Sequence, residues 1–587
     1  MSILSKKDDI KPVLPFDNLN HWIYCVCVVT FDLELGQAME VLIHFILNMK
    51  LVFENLKSNV NYLSFPDSNS GCMGDTRYHF RFRCRNPVVH NDNKTSEFYP
   101  DCLKPSPDFC YGYVNFRQVK DKSIRRGYFQ KSVVVLSPLP FINLFYKVSE
   151  LVALAYFDDG EIGLEVVCHN IDKWGPPMAG QLINLPLRGV VLQTQIPVKT
   201  DYVTCEPNGK VHISKSIIQG IENNEDQKLM IDNASICIIP SVHSQDCFTA
   251  FGAVVSQLQL LWELVLTNQS ILVVSNSPIF TSLVVQSLVS SISPLQFAQE
   301  FRPFFTIHDT EFKEFTTETQ TPPQVILGIT NPFFVKALAH WPNILKVTDT
   351  KLESLKNRKL KSPRYLFKQE EIKPGLYSNY KPFLQIDKSL IKSLQKGVKI
   401  ERPESIQSEI IRKFFLELTQ SFIFPLERYV ASLMPLRKEI VAFRNPPCLK
   451  KFNFDDFLKT LESGGPNLTS GIKGDWIGLY RLFYSSPNFV VWLSQRQQEI
   501  NIQLLQIHTE IMCRTDVSHW IQDRAEVEIV DFIIQIKSKL RYCKTNRIPL
   551  SIEQEQALNE NIKTIMSSLA PDLQDMLLQP NSGNGSL

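Results

Sequence analysis

The first third of the chain alternates apolar and polar residues in the way that β-strands do. In residues 78–83 three aromatic residues alternate with His79, Arg81 and Arg83. Successive side chains of a strand point to opposite faces of a sheet, so we expect an apolar face and a solvated face that carries these three basic residues. Further strands are predicted over residues 23–31, 111–119 and 127–136. The apolar spacing becomes helical after Phe141, and the pattern therefore predicts a sheet backed by a helix.

The middle of the chain alternates short apolar runs with helical repeats. Strands are predicted over residues 236–239, 270–275, 325–329 and 344–347. Between the first two, one helix is predicted from Phe248 to about Asn268, with Leu258 and Trp262 in its buried stripe. Two more helices are predicted, one starting at Pro278 and one at the cap and proline pair Asn331-Pro332. Such alternation favours a parallel α/β sheet.

The last third has apolar residues at intervals near four, which predicts a helical region. The predicted fold class is thus α/β plus all-α, in three modules. We place the boundaries as follows: a tail over 1–20, a sheet-and-helix module over 21–198, a linker over 199–229, a central α/β module over 230–350, a basic loop and linker over 351–404, a helical module over 405–575 and a flexible tail over 576–587.

The overall charge and the cysteines exclude some classes of protein. Lys and Arg total 62 against 60 Asp and Glu, so no global positive field would attract nucleic acid, and we expect no nucleic-acid partner. The 13 cysteines are scattered, odd in number and without a CxxC pair, which favours free thiols in a reducing cytosol. The charged first residues, MSILSKKDD, do not resemble a signal peptide. We expect a cytoplasmic protein.

The sequence lacks the common motifs of enzyme chemistry. It contains no GxxxxGK[ST], no GxSxG and no HExxH, so we expect no bound cofactor, no metal site and no catalytic residue. The densest titratable cluster is His308-Asp309 with Glu311 and Glu314. It could in principle supply an acid and a base. A helix start, with Asp309 as the N-cap and the glutamates near the positive end of the helix, explains it better.

Long strings in this sequence resemble the DENN domain family. The segments LLWELVLTNQSILVVSNSP (260–278) and FRPFFTIHD (301–309) look like the central module of DENN domains. The strings FDLELGQAME, YLSFPDSNSGCMGDT, YVNFRQVKD and RRGYFQKS in the first third resemble the DENN domain-containing protein 6 subfamily, as do PPQVILGITNPFF and KGDWIGLYRLFYSSPNF further on. The resemblance covers about residues 20 to 575. Residues 41–60 depart from it, since they are more apolar than the connector of the subfamily.

This resemblance implies a fold and a function. The first module would be longin-like, followed by the central and the helical DENN modules. DENN proteins bind Rab-family small GTPases and promote exchange of GDP for GTP, and this subfamily is associated with recycling endosomes. We therefore expect a guanine-nucleotide exchange factor for a Rab GTPase, which needs no catalytic residue of its own. A Rab-binding scaffold or effector without exchange activity is the alternative, and the sequence does not separate the two.

Candidate contacts for the GTPase are side chains near strand ends and helix starts that we expect to be exposed. They are Arg117 and Gln118 in the first module, and Arg302, Asp309, Asn331 and Phe333 in the central one. A local ion pair or cap is the competing interpretation of Arg302 and Asp309, and core packing is that of Phe333.

A basic segment between the central and helical modules is expected to be exposed. Its six basic residues, with no acid among them, are Lys356, Arg358, Lys359, Lys361, Arg364 and Lys368. It is either a solvated linker or a point of transient contact with an anionic endosomal membrane.

Overall fold

The computed structural model describes residues 16, 18–32, 34, 36–44, 50–67, 74–84, 98–124, 127–199, 235–309, 311–317, 322–348, 373–446, 448–461, 466, 471–522, 524–545 and 550–578. The chain divides into two compact units. Unit 1 comprises Met1–Phe422 and Gly464–Phe489, and unit 2 comprises Ile423–Ser463 and Val490–Leu587. The predicted linker over 199–229 lies almost entirely outside the described residues.

The first sheet of unit 1 is antiparallel, in the order β2-β1-β5-β4-β3. Its strands are β1 (Cys25–Asp32), β2 (Gly36–His44), β3 (Gly74–Arg83), β4 (Phe109–Lys120) and β5 (Tyr128–Ser137). Two helices belong to this module, α1 (Lys50–Leu63) and α2 (Ile142–Asp172), and Gly160 interrupts α2 with a φ of +67°. The sheet backed by a helix is confirmed, whereas β2 and α1 were not predicted.

The prediction of a solvated face on β3 is wrong. His79 and Arg81 are buried on that face. The Arg81 guanidinium lies 3.5 Å from the ring centre of Phe109 and 4.1 Å from that of Phe301 on the central module. The other face of β3 contributes to an apolar core. Both faces of this part of β3 are therefore covered, with His79 and Arg81 packed against aromatic rings and Arg83 partly exposed.

A second, three-stranded sheet follows in unit 1. It consists of β6 (Leu182–Leu187), β7 (Val190–Gln195) and β8 (Ser235–Ile238), with β6 antiparallel and β8 parallel to β7. Residues 236–239 were predicted to open the central sheet. The strand exists, but it pairs with β7 instead.

The central sheet has the order β10-β11-β9-β12-β13. Its strands are β9 (Ile271–Val274), β10 (Glu300–Phe305), β11 (Val325–Ile329), β12 (Asn343–Lys346) and β13 (Gly375–Ser378). The first four in spatial order are parallel and β13 is antiparallel to β12. The parallel α/β prediction is confirmed, with three of these four strands at the predicted places. The parallel strand β10 and the antiparallel edge strand β13 were not predicted.

Five helices belong to this module in the described part of the chain. They are α3 (Cys247–Phe251), α4 (Leu258–Leu266), α5 (Pro278–Ser290), α6 (Phe312–Thr316) and α7 (Pro332–Ala337). The single helix predicted to run from Phe248 to about Asn268 is divided into α3 and α4 by a 3₁₀ segment over Gly252–Gln257. Leu258 and Trp262 are buried as predicted. By length and composition Cys247–Leu266 could cross a membrane, but most of it is buried inside unit 1.

The last third is helical, as predicted. It is preceded by α8 (Lys388–Lys399), a helix within the segment 351–404 that was predicted as a basic loop and linker. The helical end contains α9 (Glu404–Ser432), α10 (Phe454–Thr460), α11 (Trp476–Tyr484), α12 (Pro487–Arg514), α13 (Val517–Ile521), α14 (Glu526–Thr545), α15 (Ile552–Met566) and α16 (Pro571–Leu578). Unit 2 has its own apolar core, with Ile533, Ile536, Leu558 and Ile565 at its centre. The sheet module, the central α/β module and the helical end together confirm the predicted fold class.

Candidate functional site

A buried charged cluster lies at strand β10 of the central sheet. Glu300 and Arg302 are two positions apart on β10, so their side chains share one face of the strand. The turn from β10 to α6 brings Asp309 and Glu311 to the same place. Arg302 is 1% exposed, and its guanidinium lies 2.5 Å from Glu300 and 3.8 Å from Asp309 and also contacts Glu311.

Arg83 extends this cluster to the first sheet. From the end of β3 it forms ion pairs with Glu300 and, at 2.9 Å, with Glu311. Burial raises the pKa of the Asp309 and Glu311 carboxyl groups above the usual range, and the charge of Arg302 opposes that rise. Two guanidinium groups therefore hold three carboxylates in place, an arrangement that fixes the position of β10 relative to the edge of the first sheet.

The placement of Arg302 and Asp309 on the surface was predicted wrongly, because both side chains are buried. The competing interpretation, a local ion pair, describes them correctly. Asp309 accepts a hydrogen bond from the backbone N–H of Glu311 at 2.9 Å, but the N-cap position of α6 is Glu311. A GTPase could contact Arg302 or Asp309 only after this segment rearranged. Their role in binding therefore stays a prediction that the burial weakens.

Asn331 and Phe333 lie at the carboxyl end of β11. The Asn331 side chain caps α7 by accepting a hydrogen bond from the Phe333 backbone N–H at 3.0 Å, as predicted. Phe333 is 56% exposed, whereas Phe334 beside it is fully buried. The core-packing interpretation of Phe333 is wrong. An exposed phenylalanine at a capped helix start is suited to contact a partner, and that role stays a prediction.

The carboxyl ends of β10 and β11 also meet the end of α1. The His308 ring stacks on Tyr62, with 4.5 Å between ring centres. Thr330 donates a hydrogen bond to the Asp67 carboxylate at 2.5 Å. We call Tyr62, His308, Asn331 and Phe333 the junction surface. Sequence reasoning missed Tyr62 and Asp67, since only tertiary packing brings α1 to these two strands.

Arg117 and Gln118 lie on the first sheet, at the end of β4. Arg117 donates two hydrogen bonds of 2.7 Å to the Asp75 carboxylate of β3, and its guanidinium lies 4.0 Å from the ring centre of Phe157. Gln118 accepts a hydrogen bond from Gln130 at 2.8 Å. Both side chains are partly exposed, so they can contact a partner.

The structure does not test the remaining site prediction. The basic segment from Lys356 to Lys368 lies outside the described residues. Within the part of the chain that is described, no group of three or more His, Cys, Asp or Glu side chains could hold a metal ion.

Comparison with known proteins finds similar chains of nearly the same length. A family model of the DENND6 C-terminal domain matches residues 517–580. Protein DENND6A of Gallus gallus is 46% identical over an alignment of 581 positions that covers 97% of this chain and 95% of that protein. Protein DENND6B of Homo sapiens is 44% identical over 97% of this chain and 95% of its own length. A DENND6 homolog of Dictyostelium discoideum is 33% identical over 88% of this chain and 77% of its own length.

Proposed function

The chain belongs to the DENND6 family of DENN-domain proteins, which are Rab regulators, and from this premise we propose that it binds a Rab-family small GTPase and promotes release of GDP. We place this activity in endosomal membrane traffic, in the cytoplasm and at recycling endosomes. The proposal requires no cofactor and no catalytic residue of this chain.

The physical requirement on an exchange factor is a difference between two affinities. It must bind the nucleotide-free GTPase more tightly than the loaded one, so that its binding free energy offsets the lost contacts to nucleotide and Mg²⁺. A surface that deforms its partner must itself resist deformation. It also has to be large, with roughly 1,200 Å² or more of total buried area.

The observation that carries the proposal is the rigid connection of two modules beneath exposed side chains. Arg83 binds Glu300 and Glu311 across the modules, and Thr330 binds Asp67. Above these contacts, His308 and Phe333 of the junction surface are exposed. A GTPase on this surface would touch elements of both modules at once. We propose that Phe333 enters an apolar site of the GTPase and that Arg117 and Gln118 extend the contact along the first sheet.

The alternative is a scaffold or effector that binds a Rab GTPase without accelerating nucleotide release. The same surface serves either role, because the two differ only in the relative affinity for the nucleotide-free state. A transient contact of the basic segment 356–368 with an anionic membrane is compatible with both.

Release of a fluorescent GDP analogue from a panel of purified Rab GTPases tests the proposal. We expect the full chain to accelerate release from one or a few members of the panel. Stable binding without acceleration would select the scaffold. Absence of both binding and acceleration across the panel would contradict the proposal. The variant Phe333→Asp serves as the matched control, since we expect it to lose the effect without loss of fold.

A further inference from the structure

Helix α8 carries four lysines and no acidic residue, in a chain whose charges almost cancel. Its sequence, KSLIKSLQKGVK, places them at Lys388, Lys392, Lys396 and Lys399. At about 100° per residue the four lie within an arc of about 80°. The buried face of α8, with Leu394 and Gly397, is on the opposite side, and all four lysines are exposed. We call these lysines the lysine face.

The lysine face lacks acidic partners of the kind that some other exposed lysines have. Lys413 pairs with Glu417, and Lys459 pairs with Asp456. Among the described residues no carboxylate forms an ion pair with any lysine of the face. Like charges four positions apart on a helix repel each other. Repulsion within the lysine face therefore lowers the stability of the isolated protein, and no local ion pair offsets that loss.

The helix dipole accounts for the positions of only two of the four lysines. Lys396 and Lys399 lie in the last turn, where the negative end of the helix favours cations. Lys388 is at the first position, where a cation is disfavoured, and Lys392 is in the middle. Asp387 caps the helix by accepting hydrogen bonds from the N–H groups of Ser389 and Leu390. That cap stabilises the helix start, but it does not account for a continuous row of positive charge.

Large apolar side chains are exposed at both ends of the row. Ile386, just before the cap, is 56% exposed, and Ile400, just after the helix, is 60% exposed. Val398 in the last turn is exposed as well. A row of lysines about 16 Å long with an isoleucine near each end is the composition of surfaces that rest on lipid headgroups.

We propose that the lysine face binds the surface of an anionic lipid bilayer, with Ile386 and Ile400 entering the headgroup region. Each basic residue close to an anionic surface strengthens binding by about fivefold, and the attraction acts within about a Debye length. Helix α8 stays packed on unit 1 through Leu394 and Gly397 in this arrangement, so binding needs no unfolding. The inference does not depend on the proposed exchange activity, because it concerns lipid and not GTPase.

The test is sedimentation of the full chain with vesicles of phosphatidylcholine alone or mixed with phosphatidylserine. We expect pelleting with the anionic vesicles at about 0.1 M salt and its loss at about 1 M salt, where the Debye length falls from about 10 Å to about 3 Å. Replacing all four lysines of the face by glutamine should lower the partition coefficient by about 600-fold, which is the product of four fivefold factors. Replacing them by arginine should preserve it.

A second variant controls for net charge. It changes four exposed lysines of unit 2 to glutamine, with the same total loss of charge, at Lys438, Lys450, Lys451 and Lys563. We expect it to bind anionic vesicles within about twofold of the unchanged protein. No variant should unfold at a markedly lower temperature than the unchanged protein, since every replaced side chain is exposed.

Three results would overturn the proposal. One is equal binding of the unchanged chain and the glutamine variant of the lysine face. Another is an equal loss in the control variant, which would mean that only net charge matters. The third has two parts: the lysine-face variant still binds, and a variant in which the six basic residues between Lys356 and Lys368 are neutralised does not. That result would assign the membrane contact to the segment 356–368. An acidic protein segment would then be the better candidate partner of α8.

Discussion

The indole Nε1 of Trp262 donates a hydrogen bond to Thr419 Oγ1 at 2.8 Å. Both residues are buried in unit 1, and Phe422 packs edge-on against the indole ring at 5.8 Å. The contact joins α4 of the central module to α9, more than 150 residues further along the chain. A buried tryptophan with its N–H satisfied thus connects the central and helical parts of unit 1.

Replacing Trp262 by alanine is expected to destabilise unit 1 by about 3 to 5 kcal/mol, because it leaves a large cavity. Thr419→Val removes the hydroxyl that accepts the indole hydrogen bond and donates one of 3.4 Å to the Ser291 carbonyl, so it should cost about 1 to 3 kcal/mol. Denaturant unfolding of both variants measures the two effects. An unchanged melting temperature for Trp262→Ala would mean that this face of α4 is not in the core.

Arg302→Met is expected to cost about 3 to 5 kcal/mol, because it leaves three carboxylates near one another in a buried place. Arg83→Met should cost much less, about 1 kcal/mol, since the Arg83 side chain is 32% exposed and water screens its ion pairs. Thermal unfolding of the two variants compares them directly. Equal losses would show that burial of the cluster does not determine its contribution.

The neighbours Phe333 and Phe334 form a matched pair for testing the junction surface. Phe333→Asp should leave the free energy of unfolding within about 0.5 kcal/mol, because the side chain is on the surface. The same variant should weaken binding of the Rab GTPase by tenfold or more, about 1.4 kcal/mol. Phe334→Ala should instead lower the stability by about 3 kcal/mol or more. Unchanged affinity in a folded Phe333→Asp protein would remove this residue from the interface.

His79 should make unit 1 sensitive to acid. Its ring is fully buried, with Nδ1 2.6 Å from the Tyr146 hydroxyl, and burial lowers its pKa from 6.5 to about 3. Between those values the unfolded chain binds a proton that the folded chain does not, so stability falls as the pH drops below about 6.5. The slope is about 1.4 kcal/mol per pH unit.

Comparing the chain with His79→Gln isolates this contribution. The variant should show a flatter dependence of the unfolding free energy on pH between about 6 and 4, whatever its stability at neutral pH. Parallel curves for the two proteins would mean that His79 is protonated in the folded state as readily as in the unfolded one.

Local patterns predicted those elements whose apolar runs are buried over most of their length. Residues 325–329 and 128–137 form strands, and α5 starts at Pro278, because each matches its environment over its whole length. The pattern misled at β3, where a second layer covers the polar face, and at residues 248–268, where a 3₁₀ segment interrupts the apolar stripe. Such features depend on packing between distant segments, which a local pattern does not record.

In the candidate site, too, local contacts could be predicted from the sequence and contacts between distant segments could not. The cap formed by Asn331 could be predicted from the sequence, because a cap is a hydrogen bond between residues close together in the chain. The burial of Arg302 could not be predicted, since its partners Asp309 and Glu311 lie beyond the end of the strand and reach it only through the turn. Tyr62 was missed for the same reason, because its stacking partner His308 is about 250 residues away along the chain. Contacts between modules require the fold.

The meeting of β3 and β10 has a consequence for how this chain can be divided. Each is the edge strand of its own sheet, and the two lie against each other through Tyr78 with Phe304 and Arg83 with Glu300. A fragment that ends before residue 235 would expose β3 as a long, aromatic-rich edge, the kind of strand that pairs with other copies and aggregates. A fragment that starts there would expose β10 in the same way. The smallest fragment that stays monomeric must therefore contain both sheets.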